Sequence, residues 1–486
     1  MRYAVIGAGL AGLAAAYRIA DRAGEGAEVD VFEAADRVGG KALSVPFDHG
    51  PVDVGAESLL TRNEAANQLI EELGLKGSLV KPSARRSLIY SGDRLHEIPS
   101  GGLMGIPATG EGLAELIGTD AAAAIDNEPE AAGLEWEPGT DRSLGALIRE
   151  RYGDGVADRI VSALLGGIYS CAADDLGVRA TVPQLAAALD RQVEAGEDPS
   201  LARAVAAALE ERAAGRTAAT GVPSGSEESA KARPNPAEPN PDSPFVTFAG
   251  GYQELYETLA EKAAERGAKI YIDAFVAELK KKGSGWAFKG GEGTYDRVVL
   301  ATPAPTSALL LRDAAPRAAA QLSRIKLASS AVVGLRLASG EGLPKNSGIL
   351  VAADQPGVAA KAFTFASNKW PHLATRPGFL LRASFGRFGD DALVRAEEDE
   401  LVDRALDDLE TITGVDAREL GVEEIFTQRW FGGIPRYDEH HGEAVAEAAA
   451  ALADAPGIEA TGAWANGVGV PAVLADALAA ADRALG

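Results

Sequence analysis

Cysteine is almost absent from this chain of 486 residues, which contains one, at position 171. An internal disulfide is therefore impossible, and a metal cluster held by several cysteines is excluded. Histidine is scarce as well: the chain has 5, and only His440 and His441 are adjacent, which is not a metal-ligand spacing on a helix. We therefore predict no metal site, and the low thiol content fits a reducing compartment.

Positive charge and long apolar runs are also lacking. The 47 Lys and Arg residues are outnumbered by 71 Asp and Glu residues, which gives a formal net charge of −24. Such a surface disfavours binding to nucleic acid or to anionic lipid. No stretch reaches the roughly 18 apolar residues of a membrane span, and residues 2–6 resemble a strand rather than a secretory leader. We expect a cytoplasmic protein that binds no nucleic acid and makes at most peripheral membrane contact.

Large apolar side chains are nearly missing from residues 213–244, which are rich in Pro, Ser and Gly. This composition predicts a disordered loop. Elsewhere the chain has ample apolar content, 46% overall, for a large core divided into two or three domains.

The start of the chain has the pattern of a strand–turn–helix–strand unit with parallel strands. Residues 2–6 (RYAVI) and 28–33 (EVDVFE) are the predicted strands, and residues 10–21 are the predicted helix. The turn between them, residues 7–12, carries the spacing G-x-G-x-x-G. In this spacing Gly7 permits a tight turn, Gly9 lets a pyrophosphate approach the backbone, and Gly12 lets the helix pack on the strand.

The ligand of this unit is predicted to be a dinucleotide. The helix offers free N–H groups and the positive end of its dipole to the phosphates. Glu33 follows about 20 residues after the glycines, where a carboxylate can accept both ribose hydroxyls and would repel a 2′-phosphate. The alternative, that the glycines only form a turn, is disfavoured by the strand, the helix and the acid that accompany them.

The continuation EAADRVGGK, from Glu33 to Lys41, resembles the extended fingerprint of flavoproteins of the amine oxidase, phytoene desaturase and protoporphyrinogen oxidase superfamily. The resemblance implies that FAD is the cofactor, with Arg37 and Lys41 facing its phosphates. The alternative is that both are ordinary surface charges. Near the other end, GAWANGVGVPAVL resembles the segment that closes on the isoalloxazine ring, where a helix amino end would stabilise negative charge on reduced flavin.

Six further segments, in order, resemble the Gram-positive branch of the protoporphyrinogen oxidase family, whose members are coproporphyrinogen III oxidases. They are GPVDVGAESLLTRNEAANQLIEELGLKGSLV, RLHEIPSGGLMGIPAT, GGIYSCAADDLGVRATVPQL, SNKWPH, LLRASFGRFGDDALV and RWFGGIPRYDEHH. The resemblance implies oxidation of coproporphyrinogen III to coproporphyrin III in heme biosynthesis, with O₂ as acceptor and hydrogen peroxide as product. Contact with a downstream chelatase is left open.

The resemblance also implies the fold: an α/β protein with a Rossmann-like FAD-binding domain, a mixed-sheet substrate domain and an inserted helical domain. The expected FAD-binding domain is 1–75 with 245–305 and 425–486, the substrate-binding domain is 76–104 and 306–424, and the helical domain is 105–212. Because the helical region is rich in Ala and acidic residues rather than in Trp, Phe and Lys, we do not expect it to bind a membrane.

Site residues are carried over from the same resemblance. The cofactor positions are Gly7, Ala8, Gly9, Leu10, Ala11, Gly12, Glu33, Ala34, Arg37, Lys41, Gly55, Ala56, Glu57, Ser58, Val276, Trp430, Val468, Gly469 and Val470. Because the substrate carries carboxylates, basic side chains should line its cavity. The substrate candidates are Arg62, Arg85, Arg179 and Lys369, with Tyr169 and Trp370 as aromatic ones. We assign no catalytic side chain, because the chemistry belongs to the flavin.

Two departures of this sequence from the family pattern bear on substrate binding. Relatives commonly have Asp-Cys-Ile where this chain has Ala-Val-Leu at 472–474, and Asn63 stands where they often have a basic residue. The open alternatives are a protoporphyrinogen IX oxidase, another flavin amine oxidase or desaturase, and a non-catalytic binder of the GDP-dissociation-inhibitor type. The intact glycines and Glu33 argue against the last of these.

Overall fold

The computed structural model describes residues 1–131, 133–220 and 235–486, and only the backbone of residues 215–220. Twenty-one strands are described: β1 Arg2–Ile6, β2 Glu28–Phe32, β3 Ser44–Phe47, β4 Gly50–Asp53, β5 Leu59–Leu60, β6 Leu79–Val80, β7 Leu88–Ser91, β8 Arg94–Glu97, β9 Gly102–Leu103, β10 Ile106–Pro107, β11 Phe245–Phe248, β12 Ala268–Tyr271, β13 Ala277–Lys282, β14 Gly285–Lys289, β15 Arg297–Leu300, β16 Leu327–Leu337, β17 Gly348–Val351, β18 Ala362–Thr364, β19 Phe379–Phe385, β20 Val422–Pro435 and β21 Ile458–Ala460.

The α-helices of the same residues are α1 Leu10–Arg22, α2 Glu64–Glu72, α3 Ala114–Ile117, α4 Thr119–Asn127, α5 Leu144–Tyr152, α6 Ser162–Tyr169, α7 Val178–Thr181, α8 Pro183–Glu194, α9 Leu201–Thr220, α10 Gln253–Glu265, α11 Ala304–Leu311, α12 Pro316–Leu322, α13 Ala366–Lys369, α14 Glu398–Thr413, α15 His441–Leu452 and α16 Val470–Leu485. A π-helical stretch, Val156–Val161, precedes α6. Within the described ranges no helix is both long and apolar enough to cross a membrane.

The first sheet is parallel and has the strand order β12-β2-β1-β15-β21. Val5 at its centre pairs with Val31 on one side and with Val299 on the other. One face packs against α1, α10 and α16, where Leu13 and Leu474 belong to the same buried cluster as Val5. The other face packs against α11, α12 and α15. Both faces are covered, as a parallel sheet requires, and the predicted strand–turn–helix–strand unit is present.

The second sheet is mixed and has seven strands in the order β20-β16-β19-β18-β17-β7-β8, with one parallel pair, β17 and β7. Alternate residues of β16 point to opposite faces. Val333 packs with α14 in one cluster, whereas Val332 packs with Val54 of the segment after β4 in another. The alternation therefore turns one face of this sheet toward its own helix and the other toward the segment that leads into residues 55–58.

A separate buried cluster joins the helices from α3 to α9. Buried Leu147, Leu185 and Val205 belong to it, and so does Tyr437, with Val468 packed against its edge. The helical core thus reaches the last glycine turn of the chain. The domain boundaries given above stay predictions.

The expected disordered loop over residues 213–244 needs correction at both of its ends. Helix α9 continues to Thr220, because the Ala-rich run after residue 212 has high helix propensity. Residues 235–244 form turns held by backbone bonds: Asn240 N donates to Pro82 O at 2.7 Å, and Pro239 bridges Ser83. Residues 221–234 lie outside the described part of the chain.

Candidate functional site

The first glycine corner, residues 7–12, joins β1 to α1. Gly7 has φ +102°, and a Cβ there would lie 2.7 Å from Ala301 O; a Cβ on Gly12 would lie 1.7 Å from Gly7 O. Packing alone therefore demands both glycines. Gly9 differs, since its Cβ would meet nothing nearer than Gly40 Cα at 3.6 Å and its φ is −71°. Packing does not explain Gly9, whereas the close approach of a ligand to the backbone does.

Glu33 lies directly beside this corner, at the end of β2. Its Oε2 accepts a hydrogen bond from Ala8 N at 2.7 Å, and its Oε1 accepts one from Ala35 N at 2.9 Å. A carboxylate has about four acceptor positions, so each oxygen can still accept a hydroxyl. The residues that lead to Val276 lie against the same strand end, where Ala274 N donates to Glu33 O at 2.8 Å.

A second loop, residues 37–42, packs on the first corner. Gly39 N donates to Ala8 O at 2.8 Å. The Arg37 guanidinium donates to three carbonyls of its own loop, those of Val38, Gly40 and Ala42, at 3.1, 2.7 and 3.3 Å. Arg37 therefore shapes this loop, a role that the sequence did not indicate.

Lys41 follows in the same loop and differs from Arg37. Its side chain is exposed, yet the surrounding protein lowers the pKa of its ammonium group to about 8 by burial. The lowered pKa means that the Lys41 charge is poorly solvated by its surroundings, which a bound anion would relieve. Lys41 forms no ion pair with a described residue. Its charge is thus free for an anion such as a phosphate.

Glu57, in the segment 55–58, is tied to the second sheet. It accepts hydrogen bonds from Lys369 Nζ at 3.1 Å, from Trp370 Nε1 at 2.7 Å and from Arg382. Burial raises the pKa of Glu57, but the charges of Arg382 and Lys369 outweigh burial and hold the pKa at about 2. Two substrate candidates, Lys369 and Trp370, are therefore committed to an ion-pair cluster that fixes residues 55–58 against the sheet.

This cluster gives a testable pH dependence. The pKa of Glu57 lies below its ordinary value of 4.5, so its stabilising effect is complete above about pH 4.5 and is lost as the pH falls through about 2. We expect Glu57→Gln to lack that component, which is on the order of 3 kcal/mol in the free energy of unfolding. Chemical denaturation of wild type and variant at pH 6 to 3 measures it.

The control for that series is Glu72→Gln, an exposed carboxyl on α2. Asp53 affects the pH dependence of stability in the opposite direction. Burial raises its pKa to about 6, despite hydrogen bonds from Ser44 and Tyr252 N, so its carboxyl destabilises the fold as the pH rises. The charge of Glu57 also contributes to the raised pKa of Asp53, so the difference between wild type and Glu57→Gln measures the two carboxyls as a coupled pair. Equal pH slopes for the two proteins would contradict the role of the ion-pair cluster.

The last glycine corner contains Val468, Gly469 and Val470. Gly469 precedes α16. In the first turn of this helix Pro471 has no N–H, and Ala472 N and Val473 N donate to Gly469 O, so Val470 N and the positive end of the helix dipole are what the helix start can offer to a ligand. This corner follows β21 as the first corner follows β1, and both strands are parallel to β15 between them. The carboxyl ends of parallel strands meet at one edge of a sheet, so the two glycine corners lie at the same edge.

Two buried side chains hold the loop between β21 and α16, and the sequence singled out neither for this role. Asp476 accepts hydrogen bonds from Thr461 Oγ1 at 2.5 Å and from Asn466 Nδ2 at 2.6 Å. The Tyr437 hydroxyl accepts from Gly467 N at 2.7 Å and donates to Ala463 O at 2.8 Å.

Two further predicted residues, Trp430 and Tyr169, are aromatic. Trp430 on β20 donates from Nε1 to Val54 O at 2.9 Å and thus adjoins residues 55–58. Tyr169 is buried, with its ring 5.8 Å from that of Tyr437, and lies beside the last corner.

The three substrate arginines are placed differently. Arg179 forms an ion pair with Asp190 at 2.8 Å inside the helical region. Arg85 donates to Asn368 Oδ1 at 2.5 Å, and Arg62 is exposed. The described contacts connect the cofactor candidates and Tyr169 to the two corners, whereas Arg179 and Arg85 are bonded to Asp190 and Asn368. A substrate role for the three arginines stays a prediction.

The fold and the two corners define a nucleotide-binding oxidoreductase. The chain belongs to the family of flavin-containing amine oxidoreductases, whose sequence profile matches residues 10–485. Two curated relatives are similar over nearly their whole length. The coproporphyrinogen III oxidase of Mycobacterium tuberculosis is 35% identical over 475 residues, 97% of this chain and 94% of the relative. That of Bacillus subtilis is 29% identical over 494 residues, 99% of this chain and 97% of the relative.

Solved structures agree. A crystal structure from Exiguobacterium sp. 255-15 has a TM-score of 0.81 and 27% sequence identity, with 99% of this chain and 98% of that chain covered. Cyclohexylamine oxidase from Brevibacterium oxydans, at 16% identity and a TM-score of 0.64 over 99% of this chain and 98% of its own, shares the fold. The resemblance and the α/β fold class predicted from the sequence are confirmed, and the family is one of flavin-dependent enzymes.

Proposed function

We propose that this protein is an FAD-dependent oxidase that converts coproporphyrinogen III to coproporphyrin III in heme biosynthesis, with O₂ as acceptor and hydrogen peroxide as product. The observation that supports it most is the end-to-end similarity to curated coproporphyrinogen III oxidases, which includes both glycine corners and the helical region between them. Fold alone would not distinguish this substrate from an amine.

The residues fit FAD rather than a smaller flavin. Gly9 leaves the backbone open where a pyrophosphate must approach, and the amino end of α1 follows it. Glu33 keeps acceptor positions for a ribose, and Lys41 supplies an unpaired cation from the loop that packs on the same corner. A pyrophosphate and a ribose beyond it belong to a dinucleotide. When bound, FAD accepts the hydrogen removed from the substrate and passes it to O₂.

The protein itself would position the reactants and exclude water. The positive end of the α16 dipole, with Val470 N, would stabilise negative charge that forms beside the last corner. Tyr437 and Asp476 hold that corner in place, and the buried Tyr169 ring forms part of its apolar surroundings. No side chain is needed as acid, base or nucleophile in this proposal.

The test is an aerobic assay of the purified protein with coproporphyrinogen III and, in parallel, protoporphyrinogen IX. We expect a yellow protein with one flavin per chain, formation of fluorescent porphyrin with peroxide, and a kcat/KM at least about ten-fold higher for coproporphyrinogen III. A preference for protoporphyrinogen IX would favour the alternative oxidase. A colourless protein that takes up no FAD would contradict the flavin site altogether and favour a non-catalytic binder.

Three expectations remain predictions. They are the cytoplasmic location, O₂ as the acceptor, and transient contact with a downstream chelatase. Measuring peroxide and O₂ consumption in the same assay tests the second of them.

A further inference from the structure

Lys361 is a buried lysine that is not among the predicted cofactor-binding residues. It directly precedes β18 and is 5% exposed. Its Nζ donates to Ser170 Oγ at 2.5 Å and to Gly386 O at 3.0 Å, both neutral acceptors. An ammonium group has three donors, so one is left over. Burial lowers the pKa of Lys361 to about 7, and the nearby charge of Arg387 acts in the same direction.

Arg387 is a second cation beside it. Its Nη2 donates to Val351 O at 3.3 Å, and its buried Nε has no hydrogen-bond partner in the described structure. Among the described residues neither cation forms an ion pair with a carboxylate; Asp390, which acts on Arg387 only at longer range, is exposed. Two adjacent, poorly solvated cations are unfavourable unless an anion joins them.

The neighbouring thiol does not supply a negative charge to Lys361 and Arg387. Cys171 follows Ser170, and burial raises the pKa of its thiol to about 12. The thiol is therefore neutral at physiological pH. No described carboxylate or thiolate supplies a counter-charge, so the pair can accept an external anion, which would favour the protonated form of Lys361.

The Lys361–Arg387 pair lies near the last glycine corner. Ser170, which accepts from Lys361, follows Tyr169, and Phe388 N donates to Ser170 O at 2.7 Å. Tyr169 lies 5.8 Å from Tyr437, ring to ring, and Tyr437 accepts from Gly467 N. Ser170, Tyr169 and Tyr437 thus form a continuous chain of contacts between the two cations and the corner at which a substrate would be held.

We infer that Lys361 and Arg387 form the receiving site for one carboxylate of the porphyrinogen substrate. The inference rests on the proposed function and deepens it, because it assigns a charge-recognition site in addition to the candidate arginines. Lys361 has a spare N–H and Arg387 a spare Nε–H, which suits the two oxygens of one carboxylate.

The test uses Lys361→Met and Arg387→Met in the flavin-loaded protein. Each is titrated with coproporphyrin III and with its tetramethyl ester, following porphyrin fluorescence. We expect the Kd for the free acid to rise about ten-fold in each variant and the Kd for the uncharged ester to change less than about two-fold. Lys361→Arg should retain most of the affinity for the acid. Lys345→Met, an exposed lysine, is the control.

The outcomes separate the two claims. Equal Kd values for the acid in wild type and in a flavin-loaded Lys361→Met or Arg387→Met protein would overturn this inference while leaving the oxidase function intact. Equal weakening of acid and ester would also overturn it, because it would indicate a general packing effect. A wild-type protein that neither oxidises coproporphyrinogen III nor binds coproporphyrin III would overturn both claims. Should Lys361→Met fail to fold, Arg387→Met provides the same comparison.

Discussion

Replacing Glu33 by Arg is expected to reduce bound flavin to less than about a tenth of the wild-type content. The substitution removes both acceptors for the ribose and places a positive charge beside the Ala8 N–H that now donates to Glu33. Glu33→Gln, which keeps one acceptor oxygen, should lose less. Flavin per chain, released by denaturation and read by absorbance, is the measurement.

The control for this variant is Glu25→Arg, which makes the same charge change on an exposed turn of the same strand–turn–helix–strand unit. Thermal unfolding without added flavin establishes that the variants fold. A Glu33→Arg protein with wild-type flavin content would refute the assignment of this carboxylate to the ribose.

Replacing Gly9 by Ala should weaken FAD binding by about 100-fold, or about 3 kcal/mol, without destabilising the flavin-free protein. The structure has room for the added Cβ, since its nearest neighbour would be Gly40 Cα at 3.6 Å, and φ of −71° suits alanine. The methyl group would instead occupy the space that a pyrophosphate needs. Titration of the flavin-free protein with FAD measures the affinity.

Gly12→Ala is the matched comparison, because its Cβ would lie 1.7 Å from Gly7 O. That variant should lose about 3 kcal/mol of folding stability, since α1 must move away from β1. If Gly9→Ala behaved like Gly12→Ala, or bound FAD normally, Gly9 would have no specific role toward the cofactor. The two alanines thus separate ligand binding from helix packing within one turn.

The part of the site that the sequence predicts well is local. Strands predicted at 2–6 and 28–33 are observed as Arg2–Ile6 and Glu28–Phe32. Short-range periodicity and glycine spacing carry that information, because all the interacting residues lie within one unit. Farther along the chain, where no such unit guides the prediction, β12 and β13 are separated by Asp273, which donates from its N to Ala35 O.

Contacts between distant segments could not be predicted in the same way. Glu57 meets Lys369 and Arg382 across more than 300 positions of sequence. Whether a basic residue faces a substrate or a structural carboxylate depends on that pairing, which composition and periodicity do not encode. The sequence motif for this reason favours Lys369 as a substrate ligand, whereas Lys361 stands in an apolar stretch without a motif.

The two glycine corners come from opposite ends of the chain, and this has a consequence for biosynthesis. The strand β1, which opens the first glycine corner, ends at Ile6, and the helix that completes the last corner starts at Val470. Their helices, α1 and α16, share one buried cluster. A nascent polypeptide on the ribosome therefore cannot capture its prosthetic group until synthesis is nearly finished, and a chain released early, before α16, would accumulate as an apoprotein with α1 incompletely covered.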